Sequence, residues 1–513
     1  MAAPITARDP TAGTPDSSSA LLSSQRALGV LPDDALTPVY GSKAHVLNAA
    51  IQKIGMGRYQ CGLFCVAGFG WLADSLWTQV AGLILPAVIP ELKPARIEYL
   101  ALAQYLGAML GAFVWGVASD MIGRRTVFNV TLLITGVFGV AAGGMETFAA
   151  VAVMTALWSV GVGGNIPVDS AVFLEFLPGS HQWLLTAMNV WWCVGQIVAS
   201  AVAWPLLTNF SCRGGDTCER GRNMGWRYFL FAMGTLTLVL FLLRFWAFKL
   251  YESPKYLMGR GNDVAAAEVV QKVARYNGVE SEFGVAELSA VDTAAGGAGG
   301  AGGVQGDLGI LSHLRALFAT RELATSTLLI LAIWFLTGLG FPLYNAFLPY
   351  FLTRHAGTTQ PSQSIAYRNY LIILCMNIPG GLVAAFTVEL KGLGRKGTMS
   401  IGAFMTGTFL LAGTTASTSN QLLAWNCVYG FAGTLMAGAL YAYTPEVFPT
   451  NHRGTGYGLA MTANRVGGVL APVVAMYADV DTPVPVYIAG SMFLVAGVLM
   501  LVLPFESRGK SSM

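Results

Sequence analysis

Apolar residues in this chain come in long blocks separated by short polar gaps. Two examples are VFNVTLLITGVFGVAAGG, which begins at Val127, and VYIAGSMFLVAGVLMLVLPF, which begins at Val486. At about 1.5 Å of rise per residue, such blocks are long enough to cross a hydrocarbon layer about 30 Å thick. The pattern therefore predicts a helical protein that crosses a membrane many times.

Twelve blocks are long enough to predict membrane-spanning helices, named span 1 to span 12. The first six are predicted at residues 61–89, 97–119, 126–145, 148–175, 183–208 and 227–250. The last six are predicted at residues 322–352, 366–388, 396–416, 420–444, 454–478 and 484–504. The predicted fold class is an all-α membrane protein with two pseudo-symmetric six-helix bundles.

The segments outside the bundles are polar. The predicted domains are a largely disordered cytoplasmic N-terminal tail (1–57), a first bundle (58–258), a cytoplasmic central linker (259–321), a second bundle (322–505) and a cytoplasmic C-terminal tail (506–513). The linker contains the run AAGGAGGAGG from Ala294, which has no side chains to bury and is typical of a flexible connection.

Basic residues are distributed unevenly between the two ends of the spans. Lys and Arg residues outside the spans number 19 on the side of the N-terminus and 8 on the other, which predicts that both termini are cytoplasmic. The exception is the loop between spans 5 and 6, which carries Arg213, Arg220, Arg222 and Arg227 on the external side. The same loop holds Cys212 and Cys218, for which a disulfide and two free thiols both remain open.

Composition narrows the class of function. The chain is 54% hydrophobic and 11% charged, against about 25% charged residues in soluble domains. A net charge of +3 gives no reason to expect nucleic acid, and no nucleophile triad or metal-ligand cluster is apparent, so we expect neither an enzyme nor a cofactor. The expected partners are a small-molecule substrate, protons and the lipid bilayer. We expect a monomer in the plasma membrane, with an intracellular membrane as the alternative.

Two short signatures occur twice with equal spacing. Gly123-Arg124-Arg125 precedes Glu175-Phe176-Leu177-Pro178 by the same distance as Gly394-Arg395-Lys396 precedes Glu446-Val447-Phe448-Pro449. The two copies are offset by 271 residues, which indicates a duplicated six-helix unit. The same offset relates Asp74 in span 1 to Asn345 in span 7, and both are predicted near mid-membrane.

The loop between spans 2 and 3 has the pattern Gly116-Val-Ala-Ser-Asp120-Met-Ile-Gly123-Arg124-Arg125. This resembles the cytoplasmic signature of the major facilitator superfamily, which implies a secondary transporter that works by alternating access. We expect Gly116 to allow close helix packing and Gly123 a tight turn. The alternative is that the arginines only follow the cytoplasmic preference of basic residues. The candidate gating residues are Gly116, Asp120, Gly123, Arg124, Arg125, Glu175, Glu389, Arg395, Glu446 and Arg453.

Three longer segments resemble a narrower group of transporters within this superfamily. GFGWLADSLW from Gly68, GVGGNIPVDSAVFLEFLP from Gly161 and YTPEVFPTNHRGTGYG from Tyr443 are similar to fungal relatives of the synaptic-vesicle-two-related transporters. Sugar porters use paired glutamines in span 7, whereas this chain has Trp334-Phe335-Leu336-Thr337 there. His181-Gln182-Trp183 stands where an arginine is expected after Pro178. These departures disfavour a hexose as the substrate.

Charged residues inside the spans are the candidate transport residues, because an unpaired charge in the bilayer is costly. Asp74 is predicted near mid-membrane, where burial disfavours the charged carboxylate, so it is suited to exchange protons or to pair with a cation. Asp169 follows a glycine-rich run in span 4 and is assigned a substrate, packing or gating role. Arg465 in span 11 is expected to face an acid of the protein or of the substrate. Arg244, near the end of span 6, is expected to extend to the interface.

Aromatic and amide side chains surround these charges in the predicted spans. Aromatic rings are suited to stack on a planar or cationic solute, although many such residues in spans only pack or face lipid. The neutral candidates for the substrate site are Gln196, Trp192, Trp334, Tyr344, Asn345 and Asn377.

The resulting hypothesis is a proton-coupled symporter of a small polar metabolite, with a preference for an organic acid. Asp74 would carry the proton, and the loop at residues 116–125 would lock the outward-open form. The alternatives are a membrane sensor with a transporter fold, and a transporter of organic cations or sugars.

Overall fold

The computed structural model describes residues 38–212, 218–294, 314–345, 363–449, 452–477 and 484–505, and these are entirely helical apart from turns and connecting segments. The membrane-spanning helices are Arg58–Leu92, Glu98–Ile122, Arg124–Gly143, Phe148–Phe176, Trp183–Ala187 continued by Asn189–Asn209, Gly225–Trp246, Arg321–Asn345, Gln363–Thr387, Gly394–Gly413, Ser419–Val447, Arg453–Tyr477 and Val484–Val502. Each overlaps one predicted span, and span numbers refer to these helices from here on. The predicted extension of span 7 to residue 352 lies outside the described residues.

Length and composition alone suit ten of the described helices to crossing a membrane. Spans 9 and 11 are more polar, because span 9 begins with Gly394-Arg395-Lys396 and span 11 contains Asn464 and Arg465. Both lie against other helices: Gly402 of span 9 contacts Met436 of span 10, and Gly467 of span 11 contacts Phe335 of span 7. Protein neighbours thus shield part of their polar surface from lipid.

The repeat inferred from sequence spacing is also present in the helices. Spans 4 and 10 each have 29 residues, and they begin 271 residues apart, at Phe148 and Ser419. Each is preceded by a threonine, Thr147 or Thr418, whose hydroxyl accepts a hydrogen bond from a backbone N–H in the first turn. The two halves therefore use the same cap at the same place.

The halves are packed closely along spans 2 and 11. A Cβ atom on Gly116 would lie 2.8 Å from the carbonyl oxygen of Gly454 and 2.8 Å from the Cα of Gly458. A larger residue at position 116 would push the spans apart. The sequence prediction that Gly116 allows close helix packing thus agrees with the structure, and the neighbour is in the other half.

An additional helix, Pro38–Ile54, lies in the segment predicted to be a largely disordered tail, so that prediction is wrong for these residues. Its buried residues recur at helical spacing, at Tyr40, Ala44, Leu47, Ile51 and Ile54. The prediction failed because this amphipathic segment is shorter and less apolar than the segments that predict membrane spans. The tail N-terminal to residue 38 lies outside the described residues.

The central linker is partly helical. It contains the helices Asp263–Asn277 and Val285–Ala294, which the sequence prediction did not include. Lys43 of the N-terminal helix binds both of them: its Nζ is 2.5 Å from Asp263 Oδ2 and 2.7 Å from Asp292 Oδ2. The glycine-rich run after Ala294 lies outside the described residues.

The end of the first half that is predicted to be external contains a disulfide between Cys212 and Cys218, whose Cα atoms are 5.9 Å apart. Arg227, which the sequence interpretation places among exposed loop arginines, is instead buried at the start of span 6. Its Nη2 is 2.7 Å from Glu91 Oε1, which joins span 6 to the external end of span 1. The ion pair with Glu91 compensates the cost of burying the charge of Arg227.

Candidate functional site

An ion pair joins the two halves at residues near the middle of spans 1 and 11. Arg465 of span 11 donates from Nη2 to Asp74 Oδ1 of span 1, at 3.2 Å. The second carboxylate oxygen accepts a hydrogen bond from the indole Nε1 of Trp192 in span 5, at 3.3 Å. The side chain of Asp74 is 3% exposed and that of Arg465 is 12% exposed. The sequence predicted Asp74, Trp192 and Arg465 as site residues, and the structure brings all three together.

Aromatic rings lie close to this pair. Trp71, one helical turn from Asp74 on span 1, packs edge-on against Tyr441 of span 10, with ring centroids 5.0 Å apart. Tyr441 in turn contacts Trp334 of span 7 at 4.7 Å, and the indole of Trp334 donates to Thr444 Oγ1 at 2.9 Å. These rings form a continuous contact from the first half to the second.

Three tyrosines near the pair were missed by the sequence interpretation. Tyr105 is within electrostatic range of Arg465, Tyr457 is within range of Asp74, and Tyr441 is within range of both charges. Tyrosines are frequent in membrane proteins, so their presence in spans 2, 10 and 11 gave no signal.

The neutral candidates divide into two groups. Asn377 of span 8 donates from Nδ2 to Gln196 Oε1 of span 5, at 3.2 Å, and this bond also crosses between the halves. Tyr344 is buried but bonds to Asn426 of span 10 rather than to the ion pair. Asn345 is exposed and is the last residue of the described part of span 7. That it lies near mid-membrane stays a prediction, because the rest of the predicted span 7 lies outside the described residues.

A second ion pair lies inside the first half. Asp169 of span 4 is 2.7 Å from Arg244 Nη2 of span 6, and both side chains are fully buried. Arg244 also donates to the carbonyl oxygens of Val66 and Phe128, and its guanidinium lies 3.6 Å from the centroid of the Phe128 ring. The expectation that Arg244 extends to the interface is therefore wrong, since an acid within the bundle binds it. Asp169 does not contact the Asp74 carboxylate or Arg465 among the described hydrogen bonds.

The predicted gating residues of the first half meet the second half on the side predicted to be cytoplasmic. Asp120 accepts hydrogen bonds from the backbone N–H of Thr455 at 2.7 Å and from that of Gly454 at 3.3 Å. Glu175 is ion-paired with Arg124 of its own half, and Arg453 Nη1 of the other half is 3.6 Å from Glu175 Oε1. The halves are thus bound together on this side.

Two other predicted gating residues, Gly123 and Arg125, lie in the loop between spans 2 and 3. Gly123 has a φ of 98°, which favours glycine, and its missing Cβ would lie 2.8 Å from Glu252 Oε2. Arg125 is exposed, and only its backbone N–H binds Glu252, at 3.3 Å. Its side chain therefore fits the alternative reading, a cytoplasmic basic residue, better than a gating contact.

In the second copy of the predicted gating motif, Arg395 binds two acids of its own half. Arg395 donates from Nε to Glu446 Oε2 at 2.7 Å and from Nη1 to Glu389 Oε1 at 3.3 Å. The 271-residue offset places Lys391 where the first half has Asp120, so the second copy lacks the carboxylate that binds the opposite half.

Comparison with known proteins identifies the family of the chain. The family described as "Sugar (and other) transporter" matches residues 91–511, which is most of the sequence. The chain belongs to this family.

Curated transporters of this family resemble the chain over nearly their whole length. The MFS siderochrome iron transporter 1 of Ceriporiopsis subvermispora (strain B) is 49% identical, with 93% of each chain covered. The niacin transporter NiaP of Acinetobacter baylyi is 27% identical, over 91% of this chain and 98% of that protein. The synaptic vesicle 2-related protein of Xenopus laevis is 25% identical over 91% and 82%, which confirms the resemblance inferred from the motifs.

Solved transporters share the fold. The proton:xylose symporter XylE bound to 6-bromo-6-deoxy-D-glucose superposes with a TM-score of 0.70 at 19% identity, covering 88% of this chain and 98% of the symporter. The twelve-helix fold is therefore confirmed. As a member of the sugar (and other) transporter family, the chain is a multi-pass membrane transporter of a small molecule, and the expectation that it is a transporter rather than an enzyme is confirmed.

Proposed function

We propose that this transporter moves a small organic acid together with a proton, and that the Asp74–Arg465 ion pair is the site where both bind. The observation that carries the proposal is that this pair joins the two halves, with Asp74 in span 1 and Arg465 in span 11. In alternating access the halves move against each other around a central site. A pair that bridges them responds directly to that movement.

The charges of the pair favour coupled binding. Separating a buried acid and base leaves an uncompensated charge, which costs about 3–5 kcal/mol. A substrate carboxylate that binds Arg465 replaces Asp74 as the partner of the guanidinium. A proton on Asp74 then neutralises the displaced carboxylate. Substrate anion and proton thereby stabilise each other in the loaded site, while in the empty site Asp74 and Arg465 neutralise each other.

The names of the relatives partly support an organic acid as the substrate. Niacin is a pyridine carboxylic acid, and the niacin transporter aligns with this chain over most of both sequences. XylE is described as a proton symporter, which supports proton coupling within the shared fold. The siderochrome transporter, although more similar, is named for a different class of substrate. Arg465 is the feature of this chain that favours a carboxylate.

A second candidate function is transport of an organic cation, because Asp74 provides a carboxylate and Trp192 an aromatic face beside it. In that case the cation would pair with Asp74 and displace Arg465. The two candidates predict opposite pH effects. A proton on Asp74 promotes binding of an acid, whereas it prevents binding of a cation.

Uptake into proteoliposomes tests the proposal, with labelled nicotinate as the probe. With the external pH lower than the internal pH, we expect nicotinate to accumulate in vesicles that contain wild-type protein. Asp74→Asn should abolish the dependence of uptake on the pH gradient, because the asparagine carries no exchangeable proton. Glu268→Gln is a matched control, since Glu268 is an exposed acid on a linker helix that pairs only with Lys272 in the described contacts.

Two results would contradict the proposal. Gradient-dependent uptake that persists in Asp74→Asn would exclude Asp74 as the proton carrier. Binding of nicotinate without any net flux, in wild-type protein with verified orientation, would favour a sensor over a transporter.

A further inference from the structure

We propose that Trp71 is a second ligand-binding residue of the central site, and that its indole N–H donates to an acceptor atom on a planar acid whose carboxylate binds Arg465. This inference rests on the proposed function and narrows its substrate class. The ligand would be a planar carboxylic acid with a second acceptor, such as a pyridine nitrogen.

The first observation is that Trp71 differs from the other indoles around the centre. Trp192 donates to Asp74 Oδ2, Trp334 donates to Thr444 Oγ1, and Trp77 donates to Thr237 Oγ1. Trp71 is fully buried, and its Nε1 has no acceptor within hydrogen-bonding distance in the part of the chain that the structure describes. Buried N–H groups without an acceptor are rare and destabilising, so this one requires an explanation.

The second observation is the location of this indole. Trp71 precedes Asp74 by three residues, so both side chains lie on the same side of span 1. Its ring packs against Tyr441, which is within electrostatic range of both Asp74 and Arg465. Trp71 is therefore part of the cluster that contains the ion pair.

The third observation is that Arg465 also has an unused donor. Its Nη2 binds Asp74, but its buried Nε has no partner among the described residues. Two N–H groups without acceptors thus belong to one aromatic cluster. A ligand that supplies acceptors and few donors satisfies both, and the rings of Trp71 and Tyr441 favour a planar ligand.

Nicotinate and benzoate provide a matched pair of probes. They share the carboxylate and the shape, and they differ by a ring nitrogen in place of a C–H group. We expect purified wild-type protein to bind nicotinate roughly tenfold more tightly than benzoate, because only nicotinate accepts a hydrogen bond from Trp71. The measurement is the ligand-induced increase in melting temperature, titrated with each acid.

Trp71→Phe removes the N–H and retains an aromatic ring, so its affinity ratio should fall to about one. Trp158→Phe is the control: Trp158 is also a fully buried indole without a described acceptor, but it packs against Trp77 inside the first half, with centroids 4.9 Å apart. This control should keep the preference of the wild-type protein for nicotinate.

The outcomes separate this inference from the proposed function. A ratio near one in wild-type protein overturns the role of Trp71 without any variant, and so does a Trp71→Phe protein that keeps the preference. Equal loss in Trp158→Phe also overturns it. If neither acid stabilises wild-type protein, the acid site itself is wrong. If both bind equally and Arg465→Ala abolishes both, the acid site stands and only Trp71 is excluded.

Discussion

Two of the buried Asp–Arg pairs in the described part of this transporter use the same chemical groups in different surroundings. Asp74–Arg465 joins the two halves, and Asp169–Arg244 lies inside the first half. Arg244 has its hydrogen bonds completed by two backbone carbonyls, whereas Arg465 keeps a buried Nε without a described partner. The guanidinium of Arg244 is thus held by several groups of the fold, whereas that of Arg465 has a donor that no described residue uses.

The packing around the pairs differs as well. A Cβ on Gly70 would collide with Asp169 Oδ2, so span 1 is pressed directly against the internal pair. The second half has the buried Leu440 where the repeat places Asp169. A six-helix unit thus folds with an apolar residue at this position. The comparison favours the pair between the halves, whose hydrogen bonding is incomplete among the described residues, as the proposed transport site, and the pair within the first half as a packing element.

The largest expected effect is on stability, from Asp169→Asn. This change leaves the Arg244 guanidinium buried without its acid, and we expect a loss of about 3–5 kcal/mol, seen as a much lower melting temperature in detergent. Asp74→Asn should be milder, because Arg465 keeps 12% exposure. A double variant, Asp169→Asn with Arg244→Met, should regain part of the loss. Equal destabilisation by Asp74→Asn and Asp169→Asn would remove the distinction between the pairs.

The next effect is on transport, from Arg465→Ala. Loss of the buried cation should lower the affinity for nicotinate by about 30-fold or more, because the substrate carboxylate loses its charged partner. The protein should remain folded, since Asp74 is free to become neutral by binding a proton. Nicotinate uptake and melting temperature, measured on the same preparation, test both parts. Undiminished uptake would exclude Arg465 from the site.

A smaller effect is expected from Gly70→Ala. The added methyl group must displace the Asp169 carboxylate or the span, at a cost of about 1–3 kcal/mol. Gly82→Ala on the same helix is the control, because nothing lies within 4 Å of its added Cβ. It should leave the melting temperature unchanged or slightly higher. Equal behaviour of the two variants would mean that span 1 is not pressed against the internal pair.

The smallest effect is expected from Lys43→Ala, which removes the two ion pairs to Asp263 and Asp292 near the surface and should cost about 1 kcal/mol or less. Burial lowers the pKa of Lys43, but hydrogen bonds to Asp263 and Asp292 outweigh it and raise the pKa above its ordinary value of 10.5. The stabilisation is therefore fully present below pH 10.5 and is lost as the pH rises through the raised pKa. The difference in melting temperature from wild type should be the same at pH 6 and pH 8. A change in that interval would assign the effect to another group.

Much of the fold could be predicted because lipid restricts what a spanning segment can contain. Long apolar blocks gave all twelve spans, and the duplicated motifs gave the two halves. Asp74 and Arg465 were identifiable as unusual charges in apolar sequence. Their pairing was not, since the two residues are 391 positions apart and no local pattern connects them.

The errors also have physical causes. Arg244 lies near a helix end, where a long side chain usually reaches water, and only the fold reveals that Asp169 is near enough to bind it. Trp71 is one of many aromatic residues in the spans, and the lack of a described acceptor for its N–H is visible only when the surrounding groups are known. The N-terminal helix at Pro38–Ile54 was not predicted, although its apolar residues recur at helical spacing. Its apolar pattern is shorter than a membrane span and is interrupted by polar residues.

The bonds of Asp120 have a consequence for the transport cycle. Its carboxylate binds the peptide N–H groups of Gly454 and Thr455 and the hydroxyl of Thr455, at the start of span 11. Two of these three hydrogen bonds use a main-chain group that every residue except proline possesses. We expect replacement of Asp120 to weaken this junction, which Glu175 and Arg453 also hold. The change would alter the timing of each turnover while leaving the cargo's own contacts intact.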